Sequence, residues 1–332
     1  MKHLHIRLHP AGIALLLMFT LLSCRDGKTS KSPSEPATVV SVPTFIADSA
    51  YRYVALQCAF GPRVPGTDAH RACGDWLAQQ LRLRGADVIE QEATVKAWNG
   101  DELPMRNIIG QFNTHTNKRV ILCAHWDTRP WADNDPAKAN HYIPISGAND
   151  GASGVGVLLE MARQFSEQLP AIGVDIIFFD AEDYGIHADS ETPHLDDTWC
   201  LGSRYWARHP HKPDYIARYG ILLDMVGTPD ARFCQENISK NYAPGIVEKV
   251  WRTAHSMGLG SYFPFTEGSW VTDDHLPINQ TAKIPCIDII PYDEKWGFGE
   301  MWHTLGDDIT WIDAKTLGVV GGVLMQVVYN EK

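Results

Sequence analysis

The sequence lacks several features that would indicate particular classes of protein. Among its 332 residues, 29 are basic and 40 are acidic, which gives a formal charge of −11. It is therefore short of the positive charge that binds nucleic-acid phosphates, and we expect no nucleic-acid partner. No two cysteines form a Cys-x-x-Cys pair, so the sequence offers no thiolate zinc site. Internal repeats and coiled-coil heptads are also absent, which excludes a solenoid or a long fibrous helix.

Long apolar runs are absent too, except near the N-terminus. Residues 11–22 are apolar but too few to span a bilayer comfortably, and they follow the basic residues Lys2 and Arg7. This pattern is typical of an export signal. It ends in Leu-Leu-Ser-Cys at positions 21–24, which resembles a bacterial lipobox, where the cysteine is acylated and becomes the new N-terminus. An ordinary signal peptide that is cleaved nearby is the alternative.

Three segments follow from this interpretation. We expect a lipoprotein signal peptide at 1–24, a flexible tether rich in Ser, Pro and Lys at 25–43, and one catalytic domain at 44–332. Without the signal the chain keeps 27 basic and 40 acidic residues. The mature protein would be anchored to a membrane of the bacterial cell envelope through lipidated Cys24, facing the periplasm or the cell surface. Export permits disulfides, but the sequence leaves their pairing and the oligomeric state open.

From residue 44 onward, short apolar runs alternate with amphipathic segments. Buried strands are predicted at 107–112, 120–124, 174–179, 220–223 and 284–290. Helices are predicted at 46–60, 154–165, 246–257 and 313–328, together with one that begins after an N-cap at Thr67. The alternation predicts a single α/β domain with a central mixed, mostly parallel sheet flanked by helices on both faces.

Polar side chains stand just past the ends of these strands, where ligands bind in such folds. Two further candidates are a carboxylate directly before a predicted helix and a histidine near the C-terminus. Carboxylates and imidazoles in this mixture suit zinc. The whole set comprises His125, Asp127, Asp150, Asp180, Glu182, Asp183, Asp224 and His303.

Each member of this set also has a simpler explanation. Asp150 could cap a helix, Asp224 could end a strand in a turn, and His303 could be a surface histidine. The joint pattern resists that explanation, because several acidic groups would be desolvated at one sheet edge without a cation. A catalytic zinc ion, which needs about three protein ligands, removes the difficulty.

The metal-ligand motifs resemble those of the zinc-aminopeptidase superfamily. They are His-Trp-Asp at 125–127, Gly-Ala-Asn-Asp-Gly at 147–151, Phe-Asp-Ala-Glu-Asp at 179–183, Leu-Asp at 223–224 and His-Thr at 303–304. Within that superfamily the chain is similar to glutaminyl-peptide cyclotransferases (glutaminyl cyclases) of the animal type and their bacterial relatives. The motifs that carry this closer likeness are Leu-Gly-Ser-Arg at 201–204, Thr-Asp-Asp-His-Leu-Pro at 272–277 and Trp-His at 302–303. The resemblance covers nearly all of 44–332.

This resemblance implies a reaction and a role for each residue. An N-terminal glutamine of a peptide or protein would become pyroglutamate, with release of ammonia. One zinc ion per chain would be held by Asp150, Asp183 and His303. Glu182 would shuttle the proton, supported by Asp224 and Asp273 as further catalytic residues. The remaining candidates are the substrate-binding aromatic residues Trp199, Phe298 and Trp302, and the possible ligands or supports of a second metal, His125 and Asp127.

Three departures from the animal pattern affect the site. Asp183 stands where the animal enzymes carry a glutamate ligand, which shortens the ligand by one methylene. Asp288 stands where they carry a histidine. No tryptophan follows the paired acids, since residues 184–187 are Tyr-Gly-Ile-His. The substrate wall must then be formed by other aromatic residues.

Two other functions remain open from the sequence. A di-zinc aminopeptidase would hydrolyse N-terminal residues with two zinc ions and Glu182 as the base, and its full ligand set is present. Those ligands would be His125, Asp150, Asp183, Asp224 and His303. A non-catalytic binding ectodomain is the third possibility, and the intact Glu182 and ligand set argue against it. The motifs at 201–204, 272–277 and 302–303 favour the cyclase.

Overall fold

A six-stranded sheet forms the centre of the computed structural model, which describes residues 40–192, 196–292 and 297–332. Its order is β1-β2-β4-β3-β5-β6. Strand β3 pairs in parallel with β4 and β5, and β5 with β6, whereas β2 runs antiparallel to β1 and β4. The strands are β1 (Asp87–Lys96), β2 (Glu102–Phe112), β3 (Arg119–His125), β4 (Gly173–Phe179), β5 (Gly220–Leu223) and β6 (Cys286–Ile289).

The mixed, mostly parallel sheet confirms the predicted fold, and five of its strands overlap the predicted runs. The sequence analysis missed β1, an edge strand that pairs only with β2 in the described chain. Its side chains are exposed or half-buried, and Glu90 and Glu92 interrupt its apolar residues. An edge strand of this kind lacks the continuous apolar run that marks a strand buried on both faces.

Eight helices lie in the described residues. Thr67 caps the second of them as predicted, because its hydroxyl accepts a hydrogen bond from the backbone N–H of His70 at 3.2 Å. Asp313 caps the last in the same way, through the N–H of Lys315. The helices are α1 (Ala47–Cys58), α2 (Asp68–Leu83), α3 (Ala152–Glu167), α4 (Leu201–Arg208), α5 (Asn237–Tyr242), α6 (Pro244–Ser256), α7 (His275–Gln280) and α8 (Ala314–Tyr329).

The helices cover both faces of the sheet, as the sequence predicts. Side chains alternate between the faces along each strand. In β3, Leu122 packs with residues of α1, α2, α3, α6 and α8. Its neighbours Ile121 and Cys123 face the other way and pack with Trp206 of α4 and Ile278 of α7. Every residue of β3 and β4 is buried, which explains their mostly apolar sequences; the buried polar pair Arg119 and Asp175 is hydrogen-bonded.

The N-terminal segments expected from the sequence cannot be compared with this structure. The predicted signal peptide at 1–24 and nearly all of the tether at 25–43 lie outside the described residues. Residues 40–332 form one compact unit. Within the described ranges, every helix is too short or too polar to cross a membrane. No disulfide joins the cysteines that the structure describes.

The parallel strands and helix α3 together position the functional edge of the sheet. Strands β3, β4 and β5 end side by side, so that residues 125–127, 180–183 and 224 meet at one edge. Helix α3 begins at the same edge. It comes close to the ends of β3 and β5 at Gly154, where an added Cβ would lie 2.3 Å from the carbonyl oxygen of Leu223.

We predict that replacing Gly154 with alanine destabilises the protein. The new Cβ would also lie 2.9 Å from the Cβ of Ala124, so α3 or the strand ends would have to shift. We expect the free energy of unfolding to fall by about 1–3 kcal/mol, measured by chemical denaturation. Gly245→Ala, in the first turn of α6, is the control. No described atom lies near its added Cβ, so its stability should be unchanged or slightly higher. Equal losses in both variants would contradict this account.

Candidate active site

Five buried side chains meet at this edge of the sheet. On one side, His125 Nε2 lies 2.9 Å from Asp150 Oδ1 and 3.1 Å from Asp224 Oδ1. On the other side, His303 Nε2 lies 3.1 Å from Asp183 Oδ1 and 3.6 Å from Asp150 Oδ2. Asp150 therefore stands between the two histidines, with one carboxylate oxygen towards each. It does not cap α3, since no side chain caps that helix within the described chain.

Two further buried carboxylates hold the backbone that carries these residues. Asp127 accepts hydrogen bonds from the backbone N–H groups of Glu182 at 3.1 Å and Asp183 at 3.2 Å. Asp307 accepts from the N–H groups of Asn149 at 2.7 Å and Asp150 at 3.1 Å. The structure thus places Asp127 as a support of the 182–183 turn. Asp307 was missed by the sequence analysis, and no motif marks it.

The sequence analysis also missed Arg129, which is buried behind the site. Its guanidinium bonds the carboxylate of Asp133 at 2.8 and 2.5 Å and donates to the backbone oxygen of Asp183 at 3.1 Å. Asp133 Oδ1 in turn lies 3.6 Å from His303 Nδ1. Burial acts to raise the pKa of Asp133, but Arg129 outweighs it and lowers that pKa. Asp133 thus lies on the Nδ1 side of the His303 ring, opposite the Nε2 atom that faces Asp150 and Asp183.

Asp150, Asp183 and His303 fit a zinc ion. One ligand atom of each lies within 4.8 Å of the others. The distances of 3.1 and 3.6 Å from His303 Nε2 bracket about 3.3 Å, the ligand spacing of a tetrahedron with zinc bonds of about 2.0 Å. Asp183 Oδ2 is buried without a hydrogen-bond partner in the described residues, as a metal ligand would be. Burial lowers the pKa of His303 to about 3, which leaves its imidazole neutral.

His125, Asp150 and Asp224 form a second group whose ligand atoms lie within 4.8 Å of one another. His125 Nε2 is hydrogen-bonded to Asp224 Oδ1 at 3.1 Å and lies 2.9 Å from Asp150 Oδ1. On the other ring nitrogen, Nδ1 lies 3.5 Å from Asp127 Oδ1. Burial acts to lower the pKa of His125, but these three carboxylates raise it well above its usual range. His125 therefore lies between Asp150 and Asp224 and shares a hydrogen bond with Asp224.

Glu182 lies beside a different set of acidic groups. One atom each of Glu182, Cys200 and Asp273 falls within 4.8 Å of the others, and Cys200 Sγ is 3.3 Å from Glu182 Oε1. Burial raises the pKa of Glu182 well above its usual value and also raises that of Asp273. It raises the pKa of Asp224 to about 8. Glu182 can therefore hold a proton near neutral pH. No sequence motif marks Cys200 as a site residue.

Aromatic rings form the wall of the cavity above these groups. Trp302 stacks on His303 with ring centroids 3.8 Å apart, and Phe298 lies 4.7 Å from Trp302. Trp199 also stacks on the His303 ring, at 5.9 Å. The space for Trp199 exists because residue 185 is glycine, where a Cβ would come within 2.0 Å of the indole. Trp199 thus supplies a tryptophan ring, which residues 184–187 lack.

These residues line a cavity of about 290 Å³. Its floor is acidic and its walls are aromatic. The cavity contacts all three predicted catalytic residues, all three predicted metal ligands and all three predicted substrate-binding residues. They are Asp150, Glu182, Asp183, Trp199, Asp224, Asp273, Phe298, Trp302 and His303.

Two of the acidic residues singled out in the sequence lie elsewhere. Asp180 is not a candidate metal ligand, because its carboxylate accepts from His70 Nε2 at 2.9 Å and from the N–H of Arg106 at 2.6 Å. Asp288, at the position of the animal histidine, lies behind Asp273. Burial and the neighbouring Asp273 raise the pKa of Asp288 well above its usual value. Both carboxyl oxygens of Asp288 are buried without a hydrogen-bond partner among the described residues.

Comparison with known proteins agrees with this geometry. The model of peptidase family M28 matches residues 107–328. The crystal structure of Bacteroides thetaiotaomicron glutaminyl cyclase bound to N-acetylhistamine is 53% identical, with a TM-score of 0.87, over 88% of this chain and 100% of that chain. A leucine aminopeptidase precursor from the same organism is also 53% identical, with a TM-score of 0.86, over 89% of this chain and 100% of that one.

A more distant relative carries the same name as the first of these structures. The glutaminyl-peptide cyclotransferase of Drosophila melanogaster is 26% identical in an alignment of 325 positions. The alignment covers 87% of this chain and 83% of the relative. These matches confirm the resemblance found in the sequence motifs. The chain belongs to peptidase family M28 and, within it, to the group that contains these glutaminyl cyclases.

Proposed function

We propose that this protein is a glutaminyl-peptide cyclotransferase that converts the N-terminal glutamine of peptides and proteins to pyroglutamate. One observation carries this choice over an aminopeptidase. His125 Nε2, the atom that would bind a second ion, is hydrogen-bonded to Asp224 Oδ1 at 3.1 Å, whereas the group of Asp150, Asp183 and His303 has ligand atoms within 4.8 Å of one another and, in the described part of the chain, no such bond between its members. A single metal with a nearby proton carrier suits cyclisation, which consumes no water. The identity to a named glutaminyl cyclase supports the proposal.

Asp150, Asp183 and His303 would hold one zinc ion. When bound, the ion supplies a Lewis acid that polarises the side-chain amide carbonyl of the glutamine. The shorter Asp183 is fixed for this task by its neighbours. Its backbone N–H donates to Asp127, and its backbone oxygen accepts from Arg129. Such supports keep a ligand oriented.

Glu182 would move the proton that the reaction requires. The α-amine of the substrate attacks the side-chain amide carbon, a new C–N bond forms, and the bond to the amide nitrogen breaks. Glu182 accepts the proton that the attacking nitrogen loses and returns it to the departing nitrogen, which leaves as ammonia. Its buried position beside Asp273, with a raised pKa, suits a carboxyl group that must both take and give a proton.

The other residues of the cavity would bind and orient the glutamine. Trp199, Phe298 and Trp302 offer apolar surface to its methylene groups and exclude water from the reacting atoms. The carboxyl groups of Asp224 and Asp273 line the same cavity and offer hydrogen-bond partners to the N-terminal nitrogen of a peptide. Binding of this kind limits recognition to the first residues of the substrate.

A di-zinc aminopeptidase is the second candidate. It is favoured by the second group of ligand atoms within 4.8 Å of one another and by the name of an equally similar structure, a leucine aminopeptidase precursor. In that case His125 and Asp224 would be metal ligands, and the hydrogen bonds that now join them would have to be broken. Glu182 would then activate water.

We expect the purified protein to release ammonia from a peptide that begins with glutamine and to leave the peptide otherwise intact. The products are identified by mass spectrometry, with ammonia detection and zinc analysis in parallel. About one zinc ion per chain is expected. Release of free N-terminal residues, with about two zinc ions per chain, would overturn the proposal in favour of the aminopeptidase.

We predict that Glu182→Gln abolishes turnover without unfolding the protein. Glutamine keeps the shape of the side chain but cannot accept a proton, so kcat should fall at least about 10²-fold. Zinc content and the unfolding temperature should stay close to those of the wild type, because Glu182 is not among the proposed ligands. The control is Glu248→Gln, an exposed residue of α6, which should keep full activity. Substantial activity in Glu182→Gln would remove this residue from the mechanism.

We also propose that the mature protein is anchored in the bacterial envelope through lipidated Cys24 and acts on exported N-termini. The support is the sequence pattern at positions 1–24, which lies outside the described residues.

Cys24→Ala should move the protein from the membrane fraction to the soluble fraction or leave it unprocessed, as judged by immunoblotting of fractionated cells. The control is Cys58→Ala, which leaves the lipobox intact and should stay in the membrane fraction. If the Cys24 variant is processed and distributed like the wild type, the anchor proposal fails.

A further inference from the structure

One exposed aromatic side chain lies at the mouth of the reaction cavity. Among the described residues that line this cavity, Trp270 is the only exposed one, at 65%. The carboxylates and His303 at the closed end are buried, and the tryptophans and phenylalanine of the wall are half-buried. Trp270 therefore marks the solvent end of the cavity.

The backbone that carries Trp270 is firmly held. The next residue, Val271, donates its N–H to Glu236 Oε1 at 3.2 Å, and the preceding residue, Ser269, accepts from the N–H of Asn237 at 2.9 Å. Glu236 is buried and also caps helix α5. A tryptophan that served only to fill the core would be buried. Here the backbone is fixed while the ring is left in solvent, so its apolar face is available for a ligand.

The position of Trp270 relates it to a specific part of the substrate. A cavity of about 290 Å³ is at the lower end of the range of about 300–1,000 Å³ for small-molecule sites. It accommodates the residue that reacts, and the rest of the peptide must leave through the mouth. Residues 266–269, just before Trp270, line a larger cavity of about 690 Å³ that shares Asp150, Phe298 and Trp302 with the first. Trp270 thus stands at the border between the two cavities.

From this position we infer that Trp270 contacts the side chain of the second substrate residue and favours aromatic and large aliphatic residues there. The inference rests on the proposed function, which assigns the closed end of the cavity to the N-terminal glutamine. The exposed indole gains little from a glycine at the second position. When the second substrate residue is phenylalanine or leucine, its contact with the indole buries apolar surface on both partners, and an aromatic ring can also stack on the indole. Trp270 would determine specificity without touching the reacting atoms.

The test compares kcat/KM for the peptides Gln-Phe-Gly, Gln-Leu-Gly and Gln-Gly-Gly. The wild-type protein should prefer the first two. In Trp270→Ala the preference for phenylalanine over glycine should fall roughly tenfold, mainly because kcat/KM for the phenylalanine peptide falls. Trp270→Phe should restore most of the preference, since an aromatic face returns.

The chain offers a matched control in Phe265, an aromatic residue of the same segment that is 55% exposed. It packs on His255 with ring centroids 4.2 Å apart and lines neither cavity. Phe265→Ala should keep the wild-type preference. An unchanged preference in Trp270→Ala, or an equal loss in Phe265→Ala, would overturn the inference. If the wild-type protein releases the first residue instead of ammonia, the proposed function is wrong. The ratio of kcat/KM for the phenylalanine peptide to that for the glycine peptide, measured for that hydrolysis, still tests the role of Trp270.

Discussion

The burial of many carboxyl groups at one edge of the sheet is the constraint on which the rest of the site depends. An isolated buried carboxylate is costly, so each must gain donors, a cation or a proton. Asp127 and Asp307 each accept from two backbone N–H groups, and Asp150 and Asp224 share the imidazole of His125. Asp183 keeps one oxygen without a donor among the described residues. The other oxygen of Asp183 lies 3.1 Å from His303 Nε2, so a cation held by Asp150, Asp183 and His303 would relieve this constraint.

The sheet makes this concentration of charge possible. Parallel strands β3, β4 and β5 end together, so three loops converge without a long excursion of the chain. The close approach of α3 at Gly154 brings Asp150 to the same point, and the buried Arg129–Asp133 pair fixes the ring of His303 from behind. Core packing and site geometry are therefore coupled, because a shift of α3 relative to β5 would move Asp150 relative to Asp224.

The sequence predicted the part of the molecule that is encoded locally. Mostly apolar runs located the buried strands, and the residues just past their ends included Glu182, Asp183 and Asp224, because strand direction and sheet order place those positions together. The half-exposed strand β1 has no such run. Arg129, Cys200 and Asp307 were missed because their roles come from contacts distant in sequence. Asp307, for example, bonds the backbone N–H of a residue 158 positions away. Trp199 was proposed as a wall residue, but the reason it fits, the absence of a side chain at Gly185, is visible only in three dimensions.

The same ligand set can serve two reactions, and the protonation of His125 separates them. Asp150, Asp183 and Asp224 bring three negative charges when ionised. One divalent ion together with a protonated His125 balances these charges. Two divalent ions with a neutral His125 would leave one positive charge in excess, which suits a hydrolase that holds hydroxide as its nucleophile. The hydrogen bond of 3.1 Å between His125 Nε2 and Asp224 Oδ1 fits the first arrangement. In that arrangement these groups need no hydroxide for charge balance, which suits a reaction in which the substrate's own amine is the nucleophile.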